Sequence, residues 1–175
     1  SWLTVPIKAS GQPLISDVQI DNQRDWRKKH FQLVSQSYAK ARHHEEHIEW
    51  VSDLYAREWT CLNELLTYTN RYFLSALSIG TQIVHSSELK VTGTKSNLVL
   101  NLCKEVGATE YISGPFGIDY LDMASFEEAG IRVTFQHYTH PVYEQCQGGF
   151  EPYMSILDLL LNCGHESRRT LRNDQ

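Results

Sequence analysis

The sequence predicts an α/β fold: a mostly parallel central sheet flanked by helices, with a more helical first half. Three observations predict it. Beyond residue 80, short β-branched runs alternate with helix-like runs in the order strand, helix, strand, helix, strand. Gly80, Gly107, Gly130 and Gly164 stand where periodic runs stop. Before residue 80, apolar residues recur at helical spacing.

The elements follow in order. Trp2–Ile7 and Leu14–Ile20 read as a strand pair around a Gly/Pro turn from Lys8 to Pro13. A helix starts near Trp26, with Asp21 or Asp25 as its cap and Trp26, Phe31, Val34 and Tyr38 on its apolar face. A second runs from Glu45 to Ala56, with Ile48, Val51, Leu54 and Tyr55 facing inward. A third runs from Cys61 to Leu77. Thr81–His85 reads as a strand, Ser86–Thr94 as a loop and Lys95–Val106 as a helix. Thr109–Ser113 is the next strand, Tyr120–Ala129 a helix and Ile131–Phe135 a strand. Ser155–Asn162 is the final helix. The three strands of this second half are expected side by side and parallel.

The 175 residues fit one domain, taken as 1–175. With 41% hydrophobic and 21% charged residues, the chain is globular rather than disordered. A formal net charge of −5 argues against nucleic acid as a general partner. No apolar run approaches the length of about 20 residues that spans a bilayer. No leader is visible, so the expected location is cytoplasmic. Cys61, Cys103, Cys146 and Cys163 are widely spaced without a C-x-x-C pair, which predicts free thiols. The chain opens on Ser1 and already reads as a strand at Trp2, so a preceding N-terminal segment is expected.

Ligands of open parallel sheets collect beyond the carboxyl ends of strands. Ser113 and Gly114 fall there, with Gly117 three residues on. Glycine amides can approach a phosphate closely, Gly114 in a φ > 0 conformation, and Asp119 and Tyr120 can bind sugar hydroxyls. The bland alternative is a common G-x-x-G turn, and Pro115 removes one donor. His85 and Ser86 end another expected strand and offer a base and a donor; their alternative is a capped turn at a sheet edge. His140, Tyr143 and Gln145 lie in a turn-rich stretch, where His140 can move protons and the other two can bind a polar ligand, or pack under Phe150. Cys146 as a nucleophile needs an adjacent base and a depressed pKa. His43 and His47 have metal-ligand spacing but lie in a charged run that reads as a solvated helix start, so no metal is assigned and no cofactor is readable. Trp26, Lys29 and His30 form a polar cluster or part of the core. Asp158 and Asn162, one turn apart on an apolar helix, imply a buried hydrogen-bond network or a contact to a ligand loop.

Five stretches carry a resemblance: Trp2–Ile7 with Asp25–His30 and Tyr38; His85–Leu89; Gly107–Gly114 running into Asp119–Asp122; His140–Tyr143 with Gln145, Phe150 and Pro152; and Ser155–Asn162 with Gly164. In this order, across nearly the whole chain, they resemble the WbqC-like family of bacterial proteins encoded among surface-polysaccharide genes. The family also has an upstream segment rich in Pro, Asp, Gln and Arg-Asn, and this chain starts just after it. The resemblance implies a role near O-antigen assembly. The expectation is an enzyme passing an acyl or aminoacyl group to a nucleotide-linked amino sugar. His85 and His140 are its candidate catalytic residues. Ser86, Ser113, Gly114, Gly117, Asp119, Tyr120, Tyr143 and Gln145 are the candidates for ligand binding. The alternatives are a non-catalytic binding or scaffold protein and a glycosyltransferase accessory factor, for which no D-x-D signature is present.

Overall fold

The structure, a computed structural model, describes residues 2–8, 11 and 13–172. Ala9, Ser10 and Gln12 of the expected Lys8–Pro13 turn lie outside the described residues. In chain order the elements are β1 (Ile7–Lys8), β2 (Gln19–Ile20), α1 (Trp26–Ser37), α2 (His44–Ala56), α3 (Leu62–Ala76), α4 (Lys95–Glu105), β3 (Glu110–Ser113), α5 (Met123–Glu128), β4 (Arg132–Phe135), α6 (Ile156–Cys163) and α7 (Ser167–Arg172). Among the described residues no helix is long and apolar enough to cross a membrane.

Helix and strand are mixed as expected, but the expected mostly parallel central sheet does not form. There are two sheets of two strands: β1 and β2 antiparallel, β3 and β4 parallel. Thr81–His85 is not a strand. Ile83 and Val84 are 52% and 42% exposed, so the β-branched pair buries too little to hold a ladder, and strand propensity is decided by such burial. The first strand contracts to Ile7–Lys8, with Trp2 96% exposed, and Ile15–Asp17 is a 3-10 turn. After Gly164 the chain turns again and forms α7, which the sequence did not announce.

The chain divides into two compact units, residues 1–80 with 140–175, and residues 81–139. The first holds α1–α3, α6 and α7. Its core gathers Ile20, Trp26, Leu54, Trp59 and Leu65. Neither Asp21 nor Asp25 caps α1 through its side chain; Asp21 Oδ1 instead accepts from the Gln23 amide at 3.1 Å. Asn22 ties the helix start down: its Oδ1 accepts from Trp26 Nε1 (3.2 Å) and its Nδ2 donates to Trp59 O (2.8 Å). His30 is core, edge-on to Trp26 and Tyr55 at 5.3 and 5.7 Å, and burial lowers its pKa first of all causes. All four cysteines are free, as the sequence predicts.

The second unit packs α4 and α5 on one face of β3–β4. Leu100, Cys103, Leu121, Phe126 and Ile131 form its core. Asp122 caps α5, accepting from the Ser125 hydroxyl at 2.6 Å and from its amide at 3.4 Å. The register pairs Glu110 with Arg132 and Ser113 with Phe135. On the open face Glu110 accepts from Thr134 (2.7 Å) and Arg132 (3.0 Å), bonds that hold its carboxyl below the usual range.

Candidate functional site

The strongest concentration of polar chemistry is in the first unit, around α6. That helix is apolar on nearly every side, with Leu159, Leu160 and Leu161 at most 2% exposed. Asp158 is buried among them at 4% exposure. A carboxylate in such a place persists only when its lone pairs are filled. Oδ1 accepts from the Tyr38 hydroxyl (2.9 Å) and Asn162 Nδ2 (3.2 Å); Oδ2 accepts from the Tyr143 hydroxyl (2.6 Å) and Gln145 Nε2 (3.0 Å). Asn162 extends the network, accepting the Cys146 amide at 2.9 Å. Gln145 exchanges bonds with the backbone of Glu151, donating at 3.0 Å and accepting at 2.7 Å. The stretch 143–151 is therefore pinned to α6 and to the end of α1. The network inferred from Asp158 and Asn162 is present. Tyr143 and Gln145, read as candidates for ligand contact, spend their polar ends on Asp158.

Burial, and then Asp158, push the Tyr38 phenol well above its ordinary value. The Tyr143 phenol rises for the same two reasons. Tyr55 is pushed up to about 12 by burial alone. Burial first, and Asp158 second, also raise the Cys146 thiol, the opposite of what a nucleophile needs. These shifts predict alkaline loss of stability. A phenol with a raised folded pKa contributes stability that is complete below the unfolded value near 10. That stability is lost as pH climbs through the folded value, because the unfolded chain gives up its proton first. The unfolding free energy from urea titration is expected to fall above pH 10, by up to about 1.4 kcal/mol per pH unit for each such phenol. Tyr38→Phe and Tyr143→Phe should each flatten the fall. A profile that stays level from pH 9 to 11.5 would contradict this account.

Next to the network stands His140. Its Nδ1 lies 2.8 Å from the Pro141 carbonyl. A carbonyl only accepts, so Nδ1 carries the hydrogen and the basic lone pair of the neutral ring is on Nε2. The ring sits 6.2 Å from Tyr143, 5.9 Å from Phe150 and 5.0 Å from Tyr153. Tyr153 is 80% exposed and has φ +60°, a left-handed conformation that bulky side chains rarely adopt.

The second unit holds the other expected residues. Ser113, Gly114, Gly117 and Tyr120 come together, because Pro115–Asp119 coils as a 3-10 turn beyond β3. Ser113 is buried and its hydroxyl donates to the Gly114 carbonyl at 3.1 Å; the Tyr111 phenol meets both Ser113 and Tyr120. Asp119 and Tyr120 are exposed. The Gly117 amide already donates to Gly114 O at 3.0 Å. Gly114 has φ −64°, not the expected positive value, and open space where a side chain would start. Gly117 is the constrained glycine: a Cβ there would overlap Ser113 Oγ and lie 3.1 Å from Leu121 Cδ1. Gly117→Ala is expected to cost about 1–3 kcal/mol in chemical denaturation and Gly114→Ala almost nothing. Equal costs would remove this distinction. His85 and Ser86 lead into another 3-10 turn, Ser86–Glu88, with Ser86 exposed. The strand ending at His85 does not exist, so the topological reason for grouping it with Ser113 falls. A cleft of about 390 Å³ in this unit opens instead beside Met123, Phe126 and Gly130–Val133, at the start of β4.

The histidine run is engaged within the first unit. His43 Nδ1 lies 2.6 Å from Glu46, and His47 Nδ1 2.6 Å from the Tyr72 hydroxyl. The His47 ring is buried, contrary to a solvated helix start, and burial lowers its pKa.

The model of the WbqC-like protein family matches residues 1–170. The chain belongs to the WbqC-like protein family. It is also similar to the uncharacterized protein Rv1507c of Mycobacterium tuberculosis (strain ATCC 25618 / H37Rv). The two are 37% identical over 178 residues, covering 98% of this chain and 75% of that protein. No solved structure matches. In this WbqC-like chain two members of the site escaped the sequence reading. Tyr38 passed for the end of an apolar stripe, because its partner Asp158 lies 120 residues away. Tyr153 carried no signal beyond being an aromatic in a turn-rich stretch. The one usable clue was Asp158 itself, an acid in an otherwise apolar helix.

Proposed function

We propose that this WbqC-like protein is a transferase of surface-polysaccharide assembly that passes an acyl or aminoacyl group to the amine of a nucleotide-linked amino sugar. The observation that carries the reading is His140, its tautomer set by the Pro141 carbonyl, beside a tyrosine anchored on a buried carboxylate. A base with a fixed ring and a defined lone pair is what amine acylation requires. In the proposed step the amine nitrogen bonds to the carbonyl carbon of an activated ester or thioester donor. The bond from that carbon to the leaving oxygen or sulfur breaks. The amine's proton passes to His140 Nε2 and from there to the leaving group. Tyr143 and Gln145, held by Asp158, position the loop that carries His140. In the second unit, exposed Asp119, Tyr120 and Ser86, with His85, remain our candidates for binding hydroxyl groups.

A second reading, a non-catalytic binding protein, draws on Ile112, Phe116 and Ile118 of the second unit, which are 67%, 79% and 68% exposed. Turnover separates the two. With a UDP-linked amino sugar and an acyl thioester, followed by mass spectrometry, His140→Ala is expected to lower kcat by about 10²–10⁴-fold. The protein should stay folded, and sugar binding should fall far less than kcat. An active His140→Ala variant would remove the residue from the mechanism. Sugar binding without any turnover by the unchanged protein would favour the binding reading.

A further inference from the structure

We propose that the exposed ring of Tyr153, propped against His140, is the platform on which a pyranose ring carrying a free amine stacks. The proposal rests on the transferase reading of His140 and names the class of acceptor that this site takes.

Folding alone gives no reason for Tyr153 as it stands. Its backbone is in the left-handed region, where a bulky residue is strained, and its side chain is 80% exposed. A glycine or asparagine would fit that conformation with less strain and leave less apolar surface in water. Strain of this kind persists where neighbouring structure holds it, and here the neighbours are specific. The ring meets His140 at 5.0 Å with 62° between planes. His140 rests on Phe150 and Tyr143, and the Tyr143 hydroxyl is fixed to Asp158 at 2.6 Å. The exposed ring is thus the outer end of a rigid chain of rings rooted in a buried carboxylate.

Charge selects the ligand. From Val133 through Ser167 the sequence contains no Lys or Arg, whereas Glu144, Glu151, Asp158 and Glu166 all fall within it. Glu144 and Glu151 are exposed, and Glu151 is two residues before Tyr153. This segment itself supplies no fixed cation for a phosphate, so the part of a nucleotide-linked sugar that it suits is the pyranose and not the phosphates. The face of an aromatic ring is electron-rich, so it favours the C–H face of a sugar ring or an ammonium group. Hydroxyls and an amine can donate to nearby carboxylates and carbonyls, in charge-assisted bonds where the amine is protonated. A pyranose ring with one amine meets all of these conditions. It also brings the amine to the side of the ring where His140 sits.

Saturation-transfer NMR on the full chain tests this with three probes: the methyl glycoside of 2-amino-2-deoxyglucose, its N-acetyl counterpart, and uridine monophosphate. Saturation should reach the ring C–H protons of the amino glycoside. Tyr153→Phe should keep that binding, and Tyr153→Ala should weaken it about tenfold. The N-acetyl glycoside should bind several-fold more weakly than the amine. Tyr153→Gly should also lose binding while melting no lower than Tyr153→Ala, a separation that a merely structural role would not produce. Amino-glycoside binding that is absent in the unchanged protein, or equal in Tyr153→Ala, overturns the proposal. So does uridine monophosphate binding that is tighter than the glycoside's and is lost in Tyr153→Ala. If Tyr153→Ala loses the glycoside while His140→Ala still turns over, the catalytic role of His140 fails alone; if the unchanged protein binds the glycoside through Tyr153 but turns nothing over, the transfer reading fails alone. If turnover depends on His140 but Tyr153→Ala leaves both KM and glycoside binding unchanged, the platform fails alone.

Discussion

Asp158→Ala is expected to destabilise the protein by about 3–5 kcal/mol, because it strips the shared acceptor from a buried group of donors. The hydroxyls of Tyr38 and Tyr143 and the amides of Gln145 and Asn162 would lose that partner together. Asp158→Asn is informative for its chemistry rather than its size. It keeps one acceptor oxygen but turns a donor toward part of the set, and a phenol can rotate to accept where an amide N–H cannot. The cost should therefore fall between the wild-type and alanine values. A double-mutant cycle with Tyr143→Phe should show strong coupling, since each change removes the same 2.6 Å bond. Urea unfolding checks both. A loss below 1 kcal/mol for Asp158→Ala would mean that water reaches these groups readily.

Gly164→Ala is expected to be nearly as damaging, by about 3–5 kcal/mol, for a different reason. Gly164 ends α6 at φ +52°, ψ −127°, a combination that L side chains avoid. Its Cα also faces the His43 ring so closely that a Cβ would overlap it. The two costs can be separated. Adding His43→Ala should return the steric part and leave the backbone part. If the double variant is no more stable than the single one, the strain is all in the backbone.

How far the sequence foretells this molecule depends on how local each feature's cause is. Trp26 and Val34, or Val51 and Leu54, repeat at helical spacing and are buried on their helices as that spacing implies. Thr109–Ser113 and Ile131–Phe135 do pair in parallel, because each alternates between a buried and an exposed face. Thr81–His85 is also rich in β-branched residues but does not form a strand, since nothing in five residues tells whether a ladder and a covering layer will meet them. The site divides in the same way. Asp158 is conspicuous because an acid in an apolar helix has to be answered. Which residues answer it is a matter of tertiary contact, and Tyr38 could not be paired with it from any local pattern. Glycine conformation behaved likewise. Gly107, Gly130 and Gly164 take positive φ at helix ends, whereas Gly114 does not, and a tyrosine does instead.

The first unit is discontinuous in sequence, and this bears on how the chain is made. During synthesis α1, α2 and α3 emerge long before α6, the helix that packs against α2 and α3 and supplies Asp158 to Tyr38. At a ribosomal rate of about 5–20 residues per second, several seconds separate Tyr38 from its carboxylate partner. Through that interval the apolar sides of three helices lack their C-terminal cover, while the contiguous unit 81–139 can complete itself as it appears. A nascent chain arrested before residue 156 should therefore protect the second unit from protease and leave the first open to cleavage. The vulnerable stage in making this unit is the wait for α6 and α7.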